Sequence, residues 1–182
     1  MSHLLTVSGK IFTPVNPDVN QMDITDIAHA LAMLCRANGH FQIFYSVAQH
    51  SVNCAKEAKC RGYSSRIQFA CLLHDASEAY LSDVTRPVKQ FLPQYREIEN
   101  RLQAVVWEKW LGGPLTLEES QQVKKIDDAL LYQEFFFFMN ESVFDTPREV
   151  VSKPDFSEHR ISEIKAQFLE LFYKLLYQSR LK

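Results

Sequence analysis

Glycine and proline are scarce, five and seven in 182 residues. That is too few for the turns of a many-stranded β fold, so helices are expected. The four cysteines, Cys35, Cys54, Cys60 and Cys71, form no Cys-x-x-Cys pair. This excludes a thioredoxin motif and the usual zinc-finger spacings. Apolar runs such as Phe135 to Met139 fall far short of the roughly 20 residues that cross a bilayer. The opening Met1-Ser2-His3-Leu4-Leu5 is too short an apolar start for a signal peptide. The expected setting is therefore the reducing cytoplasm, with no membrane partner. Charge of one sign is also lacking: the net charge is −2 and no basic stripe appears, which argues against a nucleic-acid polymer as partner.

What is present reads as one domain over 1–182, with 46% apolar and 23% charged residues and enough chain to bury a core without disulfides. The first two dozen residues carry Gly9, Pro14 and Pro17 around Lys10-Ile11-Phe12, so a loop or short strand is expected there. A helix begins near Thr25, carries Ile27, Leu31 and Leu34 at helical spacing, and stops at Asn38-Gly39. A second spans about Ser46 to Arg61, with Gly62 as terminator. A third, opened by Ser64-Ser65, is apolar nearly all round and should be central.

A fourth helix, after a segment bracketed by Pro87 and Pro93, ends at Gly112-Gly113-Pro114. A fifth opens on the capping-box pattern Thr116-x-x-Glu119 and continues to about Met139. A last packing helix, about 157–180, bears a stripe from Ile161 through Phe168 to Leu176. The expected fold is all-α: about six helices, a core over 23–140, and a short irregular or β segment in front.

The central helix holds an anomaly. Leu72-Leu73 runs straight into His74-Asp75, with Glu78 and Asp83 close behind. An imidazole and three carboxylates at the end of an apolar helix are costly unless a cation offsets their desolvation. The plain alternative is that Asp75 caps a turn and His74 is a hydrogen-bonded core residue. His50 stands on an otherwise apolar face between Val47 and Cys54, where a structural histidine is also an ordinary finding. Asp127 lies on the stripe of Val123, Ile126 and Leu130, whereas Asp128 is turned about 100° away. Two imidazoles and two carboxylates, His50, His74, Asp75 and Asp127, suit manganese, cobalt, iron, nickel or zinc, with magnesium possible.

The ordered set His50, His74-Asp75 and Asp127 resembles the signature of HD-domain metal-dependent phosphohydrolases. The surrounding text, including Cys35-Arg36, Gly39-His40, Tyr45-Ser46-Val47-Ala48-Gln49-His50, Leu73-His74-Asp75-Ala76-Ser77-Glu78-Ala79-Tyr80 and Asp83-x-x-x-Pro87-Val88-Lys89, is similar to the 5′-deoxynucleotidase branch and its phage and prophage relatives. The match covers roughly residues 9–139. It implies an HD-type helical bundle with the metal held by His50, His74, Asp75 and Asp127; the spacing of Asp127 to Glu134 also looks like the family's. Glu78 corresponds to the catalytic carboxylate, and Asp83 joins it while also contacting sugar and phosphate. Arg36 corresponds to a phosphate-orienting arginine, with Val84, Thr85, Arg86 and Lys89 as further substrate contacts. Two departures stand out: Ala37 replaces a common aromatic, and the loop Val84-Thr85-Arg86 lacks the proline that usually precedes Pro87. Arg86 reads equally as a phosphate contact and as a solvated side chain.

The implied activity is release of phosphate from deoxyribonucleoside 5′-monophosphates by attack of a metal-bound water. Alternatives are a triphosphohydrolase releasing tripolyphosphate, or a metal-stabilised module that binds nucleotides without catalysis. The phenylalanines at 135–138 cover every side of a helix turn. Core packing explains them first, and a homodimer, as in similar proteins, second; a homodimer is the expected assembly. His29 and His40 also match family positions, and His29 reads first as a hydrogen-bonded interior residue.

Overall fold

The computed structural model describes residues 3–141 and 144–180. Met1 and Ser2 of the short apolar start, and Leu181 and Lys182 at the far end of the expected domain, lie outside the described residues. The protein is all-α. Six helices of nine residues or more carry it: α1 (Ile24–Met33), α2 (Val47–Cys60), α3 (Ser65–Leu73), α6 (Pro93–Leu111), α7 (Leu117–Met139) and α8 (Ile161–Arg180). Two single turns, α4 (Glu78–Leu81) and α5 (Arg86–Lys89), lie between α3 and α6. In front, β1 (Leu4–Leu5) and β2 (Ile11–Phe12) pair antiparallel, with Leu4 opposite Phe12.

Local chemistry sets most of these boundaries. Asp23, Ser46, Ser64 and Thr116 each accept a backbone N–H of the first turn, opening α1, α2, α3 and α7. Each such cap contributes about 1 kcal/mol. Thr116 and Glu119 complete a reciprocal capping box. Gly112, left-handed at φ 72°, ends α6 where a side chain would be strained.

α3 is the central helix, as its all-round apolarity implied. Ile67, Phe69, Ala70, Cys71, Leu72 and Leu73 are all buried, and α2, α6, α7 and α8 pack against it. α8 places Ile164, Phe168, Phe172 and Leu175 into the same core. It begins at Ile161 rather than near 157, because Asp155, Ser157 and His159 close a hydrogen-bonded turn just before it.

The first helix is shorter than expected. It stops at Met33, and Leu34 is extended. Cys35 then bridges to Ser46, and the Arg36 N–H donates to the Tyr45 carbonyl at 2.8 Å. Ala37, Asn38 and Gly39 follow with φ of 50°, 51° and 76°. Asn and Gly adopt this conformation readily, but Ala pays a steric cost of about 1 kcal/mol. The strained corner swings the Arg36 side chain inward, where it is buried.

α2 carries a buried polar stripe, Gln49, Asn53 and Glu57, spaced four residues apart. These side chains hold the strap that precedes α8. Glu57 accepts the N–H groups of Val151 and Ser152 at 2.9 and 2.7 Å. Asn53 and Gln49 donate to the Asp155 carbonyl at 2.9 and 3.1 Å. No helix among the described residues is long and apolar enough to cross a membrane.

Two carboxylates tie acid stability to this frame. Lys10 and Thr25 draw Asp23 down to about 2 by hydrogen bonding. Partial burial acts to raise Asp155, but bonds from Ser157 and His159 outweigh it and bring it to about 2. A carboxyl depressed in the folded state stabilises above its unfolded value, near 4, and loses that contribution as pH falls through the folded one. Thermal melts are therefore expected to fall steeply between about pH 4 and pH 2, and Asp23→Asn is expected to flatten that slope.

Candidate metal centre

α3 ends at Leu73, and His74 and Asp75 stand in the turn that follows. They are not borne on the helix itself, as the run of apolar residues had suggested; only His50 on α2 and Asp127 on α7 are helical. The Ala76 N–H returns to the Leu73 carbonyl and the Glu78 N–H to that of Asp75. This tight turn aims two side chains at α2 and α7.

Four atoms from residues up to 77 positions apart in sequence then converge. His50 Nε2 lies 3.3 Å from His74 Nε2, 3.3 Å from Asp127 Oδ1 and 3.9 Å from Asp75 Oδ2. His74 Nε2 lies 3.3 Å from Asp75 Oδ2 and 3.8 Å from Asp127 Oδ1. Atoms sharing one ion at about 2.1 Å stand roughly 3.0–3.4 Å apart, so the set needs only a small contraction.

The tautomers make the point sharper. His50 Nδ1 faces Glu134 Oε1 at 2.5 Å, and His74 Nδ1 faces the Cys71 carbonyl at 2.8 Å. Both Nδ1 atoms meet acceptors and so carry the hydrogen. Both Nε2 atoms are then bare lone pairs, facing each other and two carboxylates. Four acceptors around one point, with no donor among them, call for a cation. When no metal ion is bound, a proton on His50 supplies that charge instead and is donated to Asp127. Burial and Arg36 act to lower the His50 pKa, yet the net direction is upward, with Glu134 and Asp127 among the causes. Burial likewise opposes ionisation of Asp127, but hydrogen bonds to His50 and His74 hold it well below the carboxylate range.

The Cys54 thiol also lies within reach of His50 and His74. It is 3.4 Å from His50 Nε2 and 4.0 Å from Nδ1. An atom on the Nε2 lone-pair axis would stand far more distant from Nδ1, so the sulfur lies beside the ring instead. Burial pushes this thiol up to about 11. It packs the site rather than completing it.

Around the four atoms lies a ring of ion pairs that the sequence did not disclose. Glu134, fully buried, orients His50 and accepts Arg36 Nη2 at 3.1 Å and the Tyr45 hydroxyl at 3.1 Å. Arg36 Nη1 also reaches Asp75 Oδ2 at 3.5 Å. The Glu134 spacing was visible in the sequence; its role as the partner of His50 was not. Arg86, half-exposed at the cleft wall, has both Nη groups engaged: they grip Asp127 Oδ2 at 2.6 Å and Asp128 Oδ1 at 2.7 Å. Asp128 is buried too, but it faces Arg86 and Lys124.

The centre opens into a cleft of about 1220 Å³ lined by His74, Asp75 and Asp127. All the residues expected to contact substrate, Arg36, Asp83, Val84, Thr85, Arg86 and Lys89, line it as well. So does Glu78. Its Oε2 is buried without a hydrogen-bond partner among the described residues, and its Oε1 lies 3.5 Å from Lys89 Nζ. Burial, then the charges of Asp75 and Asp83, push the Glu78 pKa well above the carboxylate range. Asp83 is raised by burial and Asp75, against the pull of Arg36. Lys89 is committed to Glu99 at 2.7 Å. The exposed His40 reaches the cleft, whereas His29, half-buried, lies outside it. No side-chain hydrogen bond is found for His29 among the described residues, contrary to its expected interior bonding.

Of the phenylalanine run, Phe138 is buried and Phe135 packs beside it with Phe41, while Phe136 and Phe137 are exposed.

No family model matches the chain. An Escherichia coli (strain K12) protein, "Uncharacterized protein YfdR", is 40% identical over 134 residues, which is 74% of this chain and 71% of that one. The chain belongs to the YfdR family. An uncharacterized protein of Rhodobacter capsulatus is 39% identical over 106 residues, 55% of this chain and 54% of its own. Neither name states an activity, so for this YfdR-family chain the chemistry has to be argued from the site.

Proposed function

We propose that the chain is an HD-domain metal-dependent phosphohydrolase that removes the phosphate of deoxyribonucleoside 5′-monophosphates. The observation that carries this reading is the meeting of His50 Nε2, His74 Nε2, Asp75 Oδ2 and Asp127 Oδ1 within 3.3–3.9 Å for the measured pairs. Both imidazole hydrogens are already committed elsewhere. Two nitrogens and two carboxylate oxygens fit manganese, cobalt, iron, nickel or zinc, and magnesium less well. A bound divalent ion there supplies an acidified water as nucleophile and stabilises charge on a phosphoryl oxygen.

The chain's own groups do the rest. Arg36, fixed by Glu134 and Asp75, presents positive charge at the cleft wall and orients the phosphate. Glu78, whose acid form is favoured by burial and by Asp75 and Asp83, donates its proton to the leaving 5′-oxygen. Asp83, Val84 and Thr85 border the sugar. A buried carboxyl oxygen without a partner among the described residues, such as Glu78 Oε2, is a burden to a module that only binds, which favours an enzyme. The cleft extends beyond the four-atom cluster to Lys89 and Lys124, cations that favour a second reading, removal of tripolyphosphate from a deoxynucleoside triphosphate. Four free thiols fit a reducing cytoplasm, and the exposed Phe136 and Phe137 fit a homodimer.

A hydrolysis screen of deoxy- and ribonucleoside mono- and triphosphates with manganese, cobalt and magnesium tests the reading. Phosphate from deoxynucleoside monophosphates is the expected product. Tripolyphosphate supports the second reading, and no turnover of any nucleotide with any metal overturns both.

A further inference from the structure

We infer that Arg86 is a positioning residue for Asp127: its guanidinium fork holds the outer oxygen of that carboxylate so that a single oxygen faces the metal centre. This rests on the metal reading of the four-atom cluster. Asp127 divides its two oxygens cleanly. Oδ1 lies 3.3 Å from His50 Nε2, and Oδ2 lies 2.6 Å from Arg86 Nη2. The second arm of the fork, Nη1, is anchored 2.7 Å from Asp128 Oδ1. Adjacent carboxylates on α7 are thus bridged by one rigid plane, a geometry a lysine ammonium cannot reproduce.

The side chain comes from the first residue of α5, next to Asp83, Val84 and Thr85. Arg86 therefore also ties that cleft-lining loop to α7. Rotation of Asp127 would break its 2.6 Å bond to a guanidinium that Asp128 anchors on the other side, so the carboxylate is held before any ion arrives. Lys124, by contrast, is ion-paired among the described residues to Asp128 alone, at 3.1 Å, and is largely exposed.

The test is metal affinity, measured on the whole protein by calorimetric titration with Mn²⁺, and by visible absorption with Co²⁺. Arg86→Lys keeps the charge and loses the fork, so it separates orientation from simple electrostatics. It is expected to weaken Mn²⁺ binding about 10-fold, and Arg86→Ala about 10- to 100-fold. Lys124→Ala is expected to stay within about twofold, since an exposed single-point contact contributes little. In the Co²⁺ spectra, both Arg86 variants are expected to lose band intensity as Asp127 becomes free to chelate with both oxygens. Arg86→Lys binding within twofold of the parent overturns the inference, as does tighter binding by Arg86→Ala. A loss in Lys124→Ala equal to that in Arg86→Ala also overturns it. If Arg86→Ala melts below the assay temperature, Arg86→Lys decides alone. A parent protein that takes up no metal removes the underlying reading, and this inference falls with it.

Discussion

His74→Ala and Asp75→Ala are each expected to lose both metal uptake and nucleotide hydrolysis. Each removes one of the three atoms around His50 Nε2, the ones 3.3 and 3.9 Å away. A metal ion in such a site contributes several kcal/mol at the transition state, so the rate should fall by about 10³-fold or more. The fold itself should survive. His74 and Asp75 keep 10% and 18% of their side-chain surface exposed, at the cleft rather than in the apolar core. Removing Asp75 also relieves the repulsion it exerts on Glu78 and Asp83. The readout is therefore twofold: metal content by elemental analysis, and the rise in melting temperature on adding Mn²⁺. The parent should show both, and the variants should melt normally yet show neither.

Glu78→Gln is expected to separate binding from chemistry. The amide matches the carboxyl in shape and fits the pocket that leaves Oε2 without a partner, but it has no proton to give. Metal content and KM should remain near those of the parent, while kcat falls by about 10²- to 10⁴-fold. The pH dependence has a definite sign. Burial, with Asp75 and Asp83, raises the Glu78 pKa well above its ordinary value, so the acid form persists to higher pH than in a free glutamate. Turnover should decline as pH rises through that raised pKa and Glu78 loses its proton. A Glu78→Gln protein with the parent's kcat would show that the proton comes from elsewhere.

Much of the fold could be read locally because its boundaries are local. Ser46, Ser64 and the Thr116–Glu119 box announce three helices within four residues of the bond that makes them. The α1 boundary misled because its cause is distant. Nothing near Leu34 foretells that Cys35 will pair with Ser46 and that Ala37 will adopt a left-handed turn. The site divides in the same way. The inward faces of His50 and Asp127 follow from helical spacing, and His74-Asp75 stands out against an apolar helix. Its supports do not. Glu134 meets Arg36 across 98 positions, and Arg86 meets Asp127 across 41. The stripe Gln49, Asn53 and Glu57 was present at a spacing of four, a polar face whose partner, the strap at 151–157, only folding reveals.

An anomalous difference map from crystals soaked in Mn²⁺, collected above the manganese edge, tests the cation requirement most directly. One peak is expected, about 2.0–2.3 Å from His50 Nε2, His74 Nε2, Asp75 Oδ2 and Asp127 Oδ1. A map with no peak among those four atoms, or with the ion bound elsewhere and the two imidazoles bridged by a proton, would contradict it.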